Sequence, residues 1–133
     1  MKDKKIILFI CKGNSGRSQI AEAFFNHLSI KNKAISVGTK PDKKIHPWTI
    51  KVMQDVGIDI SQQKPKLLTK KILRKADKIV VMDSEILKNI PSQYLTKVEK
   101  WQIEKLLGKP IGRIRKIRNQ IKKRVKRLIK EIE

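Results

Sequence analysis

An α/β fold, in which a parallel sheet carries helices on both faces to make three layers, is predicted by three features of this sequence. Continuous apolar runs at Ile6–Ile10 and Ile79–Met82 end in polar or glycine-containing segments, as strands buried on both faces do. Apolar residues recur at helical spacing between and after those runs. Strand and helix therefore alternate. Alternation calls for parallel pairing through right-handed crossovers, with ligands bound at the carboxyl ends of strands.

The first strand, Ile6–Ile10, runs to Cys11 and is stopped by Gly13. From Ser18 to Leu28, just after Arg17, the positions Ile20, Ala21, Ala23, Phe24, Phe25 and Leu28 make one apolar helical face. Lys33 to Val37 reads as a short strand closed by Gly38. Pro47 suits a first helical position, and Trp48, Ile50, Val52, Met53 and Val56 continue an amphipathic helix stopped by Gly57. Trp48, Met53, Phe24 and Phe25 are expected in the core. A short helix is expected over Leu68–Leu73, a buried strand over Lys78–Met82 with Asp83 and Ser84 at its carboxyl end, and another short helix over Glu85–Asn89. Lys97–Trp101 reads as an edge strand. The last helix, about 111–132, carries Ile111, Ile114, Ile117, Ile121, Val125, Leu128, Ile129 and Ile132 as one stripe.

The 133 residues are expected to form one domain, residues 1–133. With 39% hydrophobic residues, global disorder is excluded. The apolar runs are far shorter than the ~20 residues that span a bilayer. The basic start, Met-Lys-Asp-Lys-Lys, followed by six apolar residues and then Lys12 and Gly13, makes a poor signal peptide. A cytoplasmic location is expected. The single cysteine, Cys11, rules out an internal disulfide and a thiolate-rich metal site, and fits a reducing compartment. His27 and His46 have no matching ligands by spacing, so neither a metal nor a cofactor is expected. His27 reads as a helix-surface residue and His46 as a loop residue.

Charge is the other marked property. Thirty-three Lys and Arg against twelve Asp and Glu give +21, which attracts phosphates, nucleic acid, anionic lipid or acidic protein. Residues 111–133 alone hold ten basic and two acidic residues, with the basic ones expected outside the isoleucine stripe. That face is either simply solvated or a surface for an acidic protein or nucleic acid, held through phosphate-type contacts without base readout.

Cys11-Lys12-Gly13-Asn14-Ser15-Gly16-Arg17-Ser18 follows a buried strand and opens a helix. Two glycines allow the turn to fold its amides inward, and the helix adds the positive end of its dipole. Several N–H donors then converge on one tetrahedral oxyanion. Arg17 can close the ring with a bidentate guanidinium. The same field favours the thiolate form of Cys11, facing the bound group. Ser18 can hydrogen-bond that sulfur and steady it as a leaving group, and Asn14 is the residue best suited to tie the loop to its neighbours. Lys12, Gly13, Asn14, Ser15, Gly16 and Arg17 are thus the expected substrate-binding residues, and Cys11, Arg17 and Ser18 the catalytic ones. A Walker-type loop would need a Gly-x4-Gly-Lys-Ser/Thr string, which is absent.

Cys11-x5-Arg17-Ser18 with Gln19-Ile20-Ala21-Glu22-Ala23-Phe24 resembles the low-molecular-weight protein tyrosine phosphatase superfamily, which includes thioredoxin-coupled arsenate reductases. Ser36-Val37-Gly38-Thr39, His46-Pro47, Val56-Gly57-Ile58-Asp59-Ile60-Ser61, Trp101 and Gly108-Lys109-Pro110 extend the resemblance through most of the chain. It implies a four-stranded parallel sheet, a Cys11 nucleophile that forms a phosphocysteine, Arg17 as transition-state clamp, and a cleft bordered by Lys12 and the stretch from Gly38 to Trp48.

This chain departs from the family pattern at three places. Gly16 and Ser84 stand where the reductases of that group carry further cysteines, so their internal disulfide relay cannot run. The family's acidic Asp-Pro pair before the last helix is replaced by Lys105-Leu106. Glu104, next to it, is a substitute acid to be tested. Asp83 resembles a family Asp at the end of the third strand, with orienting the loop as its more natural role.

The expected function is a phosphomonoesterase of the protein tyrosine phosphatase type, acting on phosphate, aryl phosphate or phosphotyrosine through a phosphocysteine. Two alternatives stand beside it. One is an arsenate reductase using an external thiol; the other is a phosphate- or nucleic-acid-binding protein with little turnover.

Overall fold

The computed structural model describes residues 4–133; the basic start read above as a poor leader lies largely outside the described residues. Four parallel strands form one sheet in the order β2-β1-β3-β4, with β1 at Ile6–Cys11, β2 at Lys33–Gly38, β3 at Lys78–Val81 and β4 at Val98–Lys100. The helices are α1 (Arg17–Leu28), α2 (Pro47–Gln54), α3 (Lys70–Lys75) and α4 (Ile111–Ile132). Two 3-10 segments, Ser84–Asn89 and Ser92–Lys97, link β3 to β4.

The two-residue period of β1 divides the core. Ile7, Phe9 and Cys11 point to one face, where they meet Phe24, Phe25, Met53, Trp101 and the α4 residues Ile117, Ile121, Val125 and Leu128. Leu8 and Ile10 point to the other, against Leu73, Ile86, Ile90 and Tyr94. Both faces of β1 and β3 are covered, which is why these strands read as unbroken apolar runs. Cys11 is therefore the last residue of the face that carries α1 and α4.

The expected elements are present, with shifts that have local causes. The third helix begins at Lys70 because Thr69 caps it, its Oγ1 accepting from the Ile72 amide, while Leu67 before it bridges to Gly38 beside β2. The short helix after β3 is a 3-10 segment capped by Asp83, and the Ser92–Lys97 turn was not expected at all. Trp48, expected in the core, is 52% exposed. Pro47 at the first position and the His46 cap set the rotation of α2, so Thr49 faces inward in its place, beside Val52 and Met53 as expected. Arg118, expected outside the isoleucine stripe, is buried in it and donates from Nη1 to the Val52 carbonyl at 2.8 Å. That burial lowers its pKa from the ordinary guanidinium value.

Candidate active site

The turn from β1 into α1 sits at the carboxyl edge of the sheet. Its backbone is held by the adjoining β2–α2 loop: Thr39, Lys40 and Asp42 donate to the carbonyls of Cys11, Lys12 and Gly13, and the His46 amide and Thr49 Oγ1 both reach the Ser15 carbonyl. No side chain caps α1 at Gly16, and its first turn holds no acidic residue. Its leading amides are left to the loop, the arrangement an oxyanion needs.

The loop curls by a different device from the one expected. The left-handed residue is Asn14, at φ 51°, and neither Gly13 nor Gly16 has a positive φ. The glycines instead lie close under neighbouring side chains, whose tips a Cβ would have to displace. A Cβ at Gly16 would lie 2.9 Å from a methyl of Leu106, and one at Gly13 would collide with the Asp42 carboxylate. Asn14 holds its unusual conformation through hydrogen bonds. Its Nδ2 donates to Ser18 Oγ at 2.7 Å and Ser36 Oγ at 3.0 Å, and its Oδ1 accepts from the Lys66 amide at 2.8 Å and from Gln19. Ser36 in turn donates to Glu22, whose other oxygen accepts from Gln63. Residues from β2, α1 and the loop at 63–66 thus converge behind the turn.

Cys11 Sγ lies 2.9 Å from Ser18 Oγ, the contact expected of those two residues. Cys11 is 4% exposed and lines a cleft of about 480 Å³ shared with Lys12, Gly13, Asn14, Ser15, Gly16 and Arg17. Arg17 is placed differently from a free lid. Its Nη1 donates to the carbonyls of Met82 (3.0 Å) and Ile103 (2.8 Å), while Nη2 is 3.9 Å from Asp83. Anchored through Nη1, Arg17 still lines the cleft, and its Nε makes no hydrogen bond among the described residues. Asp83 also accepts from the Glu85 amide, so it positions Arg17 and caps the 3-10 segment.

Glu104 does not occupy an acid's place. It pairs with Arg113 and Lys109 and is absent from the cleft lining. Hydrogen bonds from Arg113, with its charge and that of Lys109, hold the Glu104 carboxyl below its usual range against the opposing effect of burial. A carboxylate so held is ionised at neutral pH and carries no proton to give. Its wall position belongs to Lys105, Leu106 and Leu107.

The cleft is completed by Lys40, Pro41, Asp42, His46 and Thr49. The resemblance pointed to the stretch from Gly38 to Trp48, but composition and periodicity gave no sign of Asp42 or Thr49, because loop residues carry no period to read. Asp42 is the sole carboxylate on the cleft among the described residues and accepts from Ser15 Oγ at 2.5 Å. His46 spends Nδ1 on the Trp48 amide. No group of three metal-ligating side chains occurs among the described residues.

The model of the low molecular weight phosphotyrosine protein phosphatase family matches residues 6–133. The chain belongs to that family. Among its relatives, arsenate reductase 2 of Staphylococcus epidermidis is 36% identical over 121 residues, covering 90% of this chain and 92% of the relative. The glutaredoxin arsenate reductase of Synechocystis is 34% identical over 130 residues, covering 96% and 98%. A solved arsenate reductase in the phosphate binding state, 34% identical, superimposes with a TM-score of 0.85 over 97% of this chain and 99% of its own. Family membership and the four-stranded parallel sheet thus agree with the sequence reading, and no helix among the described residues is long and apolar enough to cross a membrane.

Proposed function

We infer that this member of the phosphatase family is an arsenate reductase that draws its electrons from an external thiol. The observation that carries this reading is a thiol in an oxyanion cradle whose cleft, among the described residues, holds a single carboxylate, Asp42, which already accepts from Ser15. Asp83 stands beside Arg17, and Glu104 is paired outside the cleft. An ester must expel an alkoxide or phenolate, a step for which a general acid supplies about 10²–10⁴-fold. Arsenate needs no protein carboxylate for this, because the proton that turns its departing hydroxyl into water comes from the Cys11 thiol itself. Two relatives named as arsenate reductases, which the chain spans almost end to end, support the same direction.

Cys11 attacks arsenic while the loop amides and Arg17 hold the remaining oxygens. The thiol proton departs with one arsenate hydroxyl as water, and a sulfur–arsenic(V) bond forms. With no second cysteine in the chain, an external thiol attacks Cys11 Sγ. The sulfur–sulfur bond forms as the sulfur–arsenic pair goes to arsenic, which leaves as arsenite. A second external thiol frees Cys11. One arsenate and two thiols give one arsenite, one disulfide and one water. Ser18 steadies the Cys11 sulfur when it attacks arsenic and again when the second thiol releases it.

A second reading, hydrolysis of aryl phosphates through a phosphocysteine, is supported by the same cradle, since phenolates depend least on an acid. The exposed basic face of α4 adds a surface for a polyanion such as nucleic acid or an acidic protein. The deciding experiment follows arsenite formation with a supplied thiol, beside release of nitrophenol from p-nitrophenyl phosphate. Arsenate-dependent thiol oxidation lost in Cys11→Ser is the expected result. Efficient ester hydrolysis without arsenite formation would replace the first reading by the second.

A further inference from the structure

Lys12, Lys40 and Lys105 reach the same cleft from the β1–α1 turn, the β2–α2 loop and the segment before α4. All three are exposed, and among the described residues none of their ammonium groups has an ion-pair partner or a hydrogen bond. The loop amides and Arg17 already provide for the oxyanion, so these charges are surplus to its binding. Asp42, exposed beside them, offsets only part of their field. The buried thiol lies in a cleft of about 480 Å³, within the size range of small-molecule sites. Pro41, Leu106 and Leu107 supply an aliphatic wall beside the lysines.

We propose that Lys12, Lys40 and Lys105 select the reducing co-substrate, and that it is a small thiol carrying carboxylates. The inference rests on the reductase reading above. In the reducing step a thiolate approaches a sulfur bonded to an anionic arsenic(V) group. The S–S bond forms and the S–As electron pair departs with arsenite, so two negative charges meet in the cleft. Cations at the mouth relieve that repulsion, and carboxylates on the thiol let the lysines hold it in line with Sγ. A neutral thiol gains the first effect but not the second.

The test measures arsenite formation at saturating arsenate with mercaptosuccinate, which has two carboxylates, and with 2-mercaptoethanol, which has none. The parent is compared with Lys12→Gln, Lys40→Gln, Lys105→Gln and the triple variant. Each exposed charge is expected to lower the mercaptosuccinate to mercaptoethanol ratio of kcat/KM about two- to threefold, and the triple about tenfold or more. Added KCl should lower the same ratio in the parent and leave the triple variant unchanged. A ratio that is the same in parent and triple variant, or turnover that proceeds only with a protein dithiol such as glutaredoxin, overturns the proposal. No arsenite from the parent with any thiol defeats the reductase reading itself, a result distinguishable from both.

Discussion

Asn14 concentrates the demands of the site in one side chain. It is fully buried, sits in the left-handed region, and serves Ser18, Ser36, Gln19 and the Lys66 amide. Asn14→Ala keeps the backbone strain and removes every one of those hydrogen bonds, leaving buried partners unsatisfied. A loss of about 2–4 kcal/mol is expected in denaturant unfolding, along with about tenfold weaker oxyanion binding. Asn14→Gly, which relieves the strain alone, should recover part of the stability and little of the binding. Equal stability in parent and Asn14→Ala would mean that the turn is held by its backbone contacts instead. The sequence marked Asn14 as the tie of the loop, but it did not show that the tie runs through Ser36 and the amide of Lys66. Those partners lie 22 and 52 residues away, and spacing cannot report a contact across the sheet. Glu104 makes the opposite case, a residue adjacent in sequence to the missing acid and turned away by Arg113 in space. Glu104→Gln should change turnover less than about twofold between pH 5 and 8. Its effect belongs to stability. Its folded pKa is depressed, so the Arg113 pair stabilises the fold above the ordinary carboxylate pKa, and that contribution disappears as pH falls through the lower folded value. Parent and Glu104→Gln should therefore differ in stability at pH 7 and converge in acid, once the pH has fallen through the depressed folded value.

At the level of elements, what was legible followed a period. The stripe on α4 was readable because Ile114, Ile117, Ile121, Val125 and Leu128 recur by three and four, and all five are buried. The strands β1 and β3 were readable because both faces are covered. The α3 start and the Ser92–Lys97 turn were not, since a six-residue segment offers too few repeats for a period and its cap decides the boundary. Truncating the centre of the stripe tests the first point. Ile121→Ala removes a fully buried side chain between α4 and α1 and should cost about 2–5 kcal/mol, read as a shift in the unfolding midpoint with an unchanged denaturant slope. The join of β2 to the turn makes a different prediction. Gly38 pairs with Cys11, and a Cβ there would come 2.5 Å from the Lys12 carbonyl and 3.1 Å from the Asn14 amide. Backbone atoms cannot swing aside as a lysine tip can. Gly38→Ala should therefore displace the cradle, lowering phosphate affinity at least about tenfold in calorimetry. Retained affinity would mean that the turn shifts as a unit with β2.

For the molecule as a whole, the sheet order β2-β1-β3-β4 gathers the ends of β1 and β3 around one cleft, bringing Arg17 to the Met82 carbonyl across 65 residues. Neither that order nor the route of the chain is contained in periodicity; the resemblance implied four parallel strands, and the structure supplies their order. The net charge of +21 was legible from composition, but which cations are available for a partner depends on the fold. On α4, Arg113 and Arg115 are engaged by Glu104 and Asp55, and Arg118 is buried. Lys116, Lys123, Lys126, Arg127 and Lys130 are exposed and without an ion pair among the described residues. Four of them, at 116, 123, 127 and 130, fall on one side of the helix by spacing. A duplex DNA laid along that side would exchange counterions for these side chains. Its affinity should fall with a slope of about −4 to −5 in log K against log salt if all five make contact, and the slope should not depend on base sequence. Replacing Lys123, Lys126 and Lys130 by Gln should flatten that slope by about 2.5, while arsenite formation at the distant cleft stays as in the parent. Binding that ignores salt, or a slope unmoved by the three substitutions, would leave this face as a hydrated, self-repelling surface whose charge serves solubility alone.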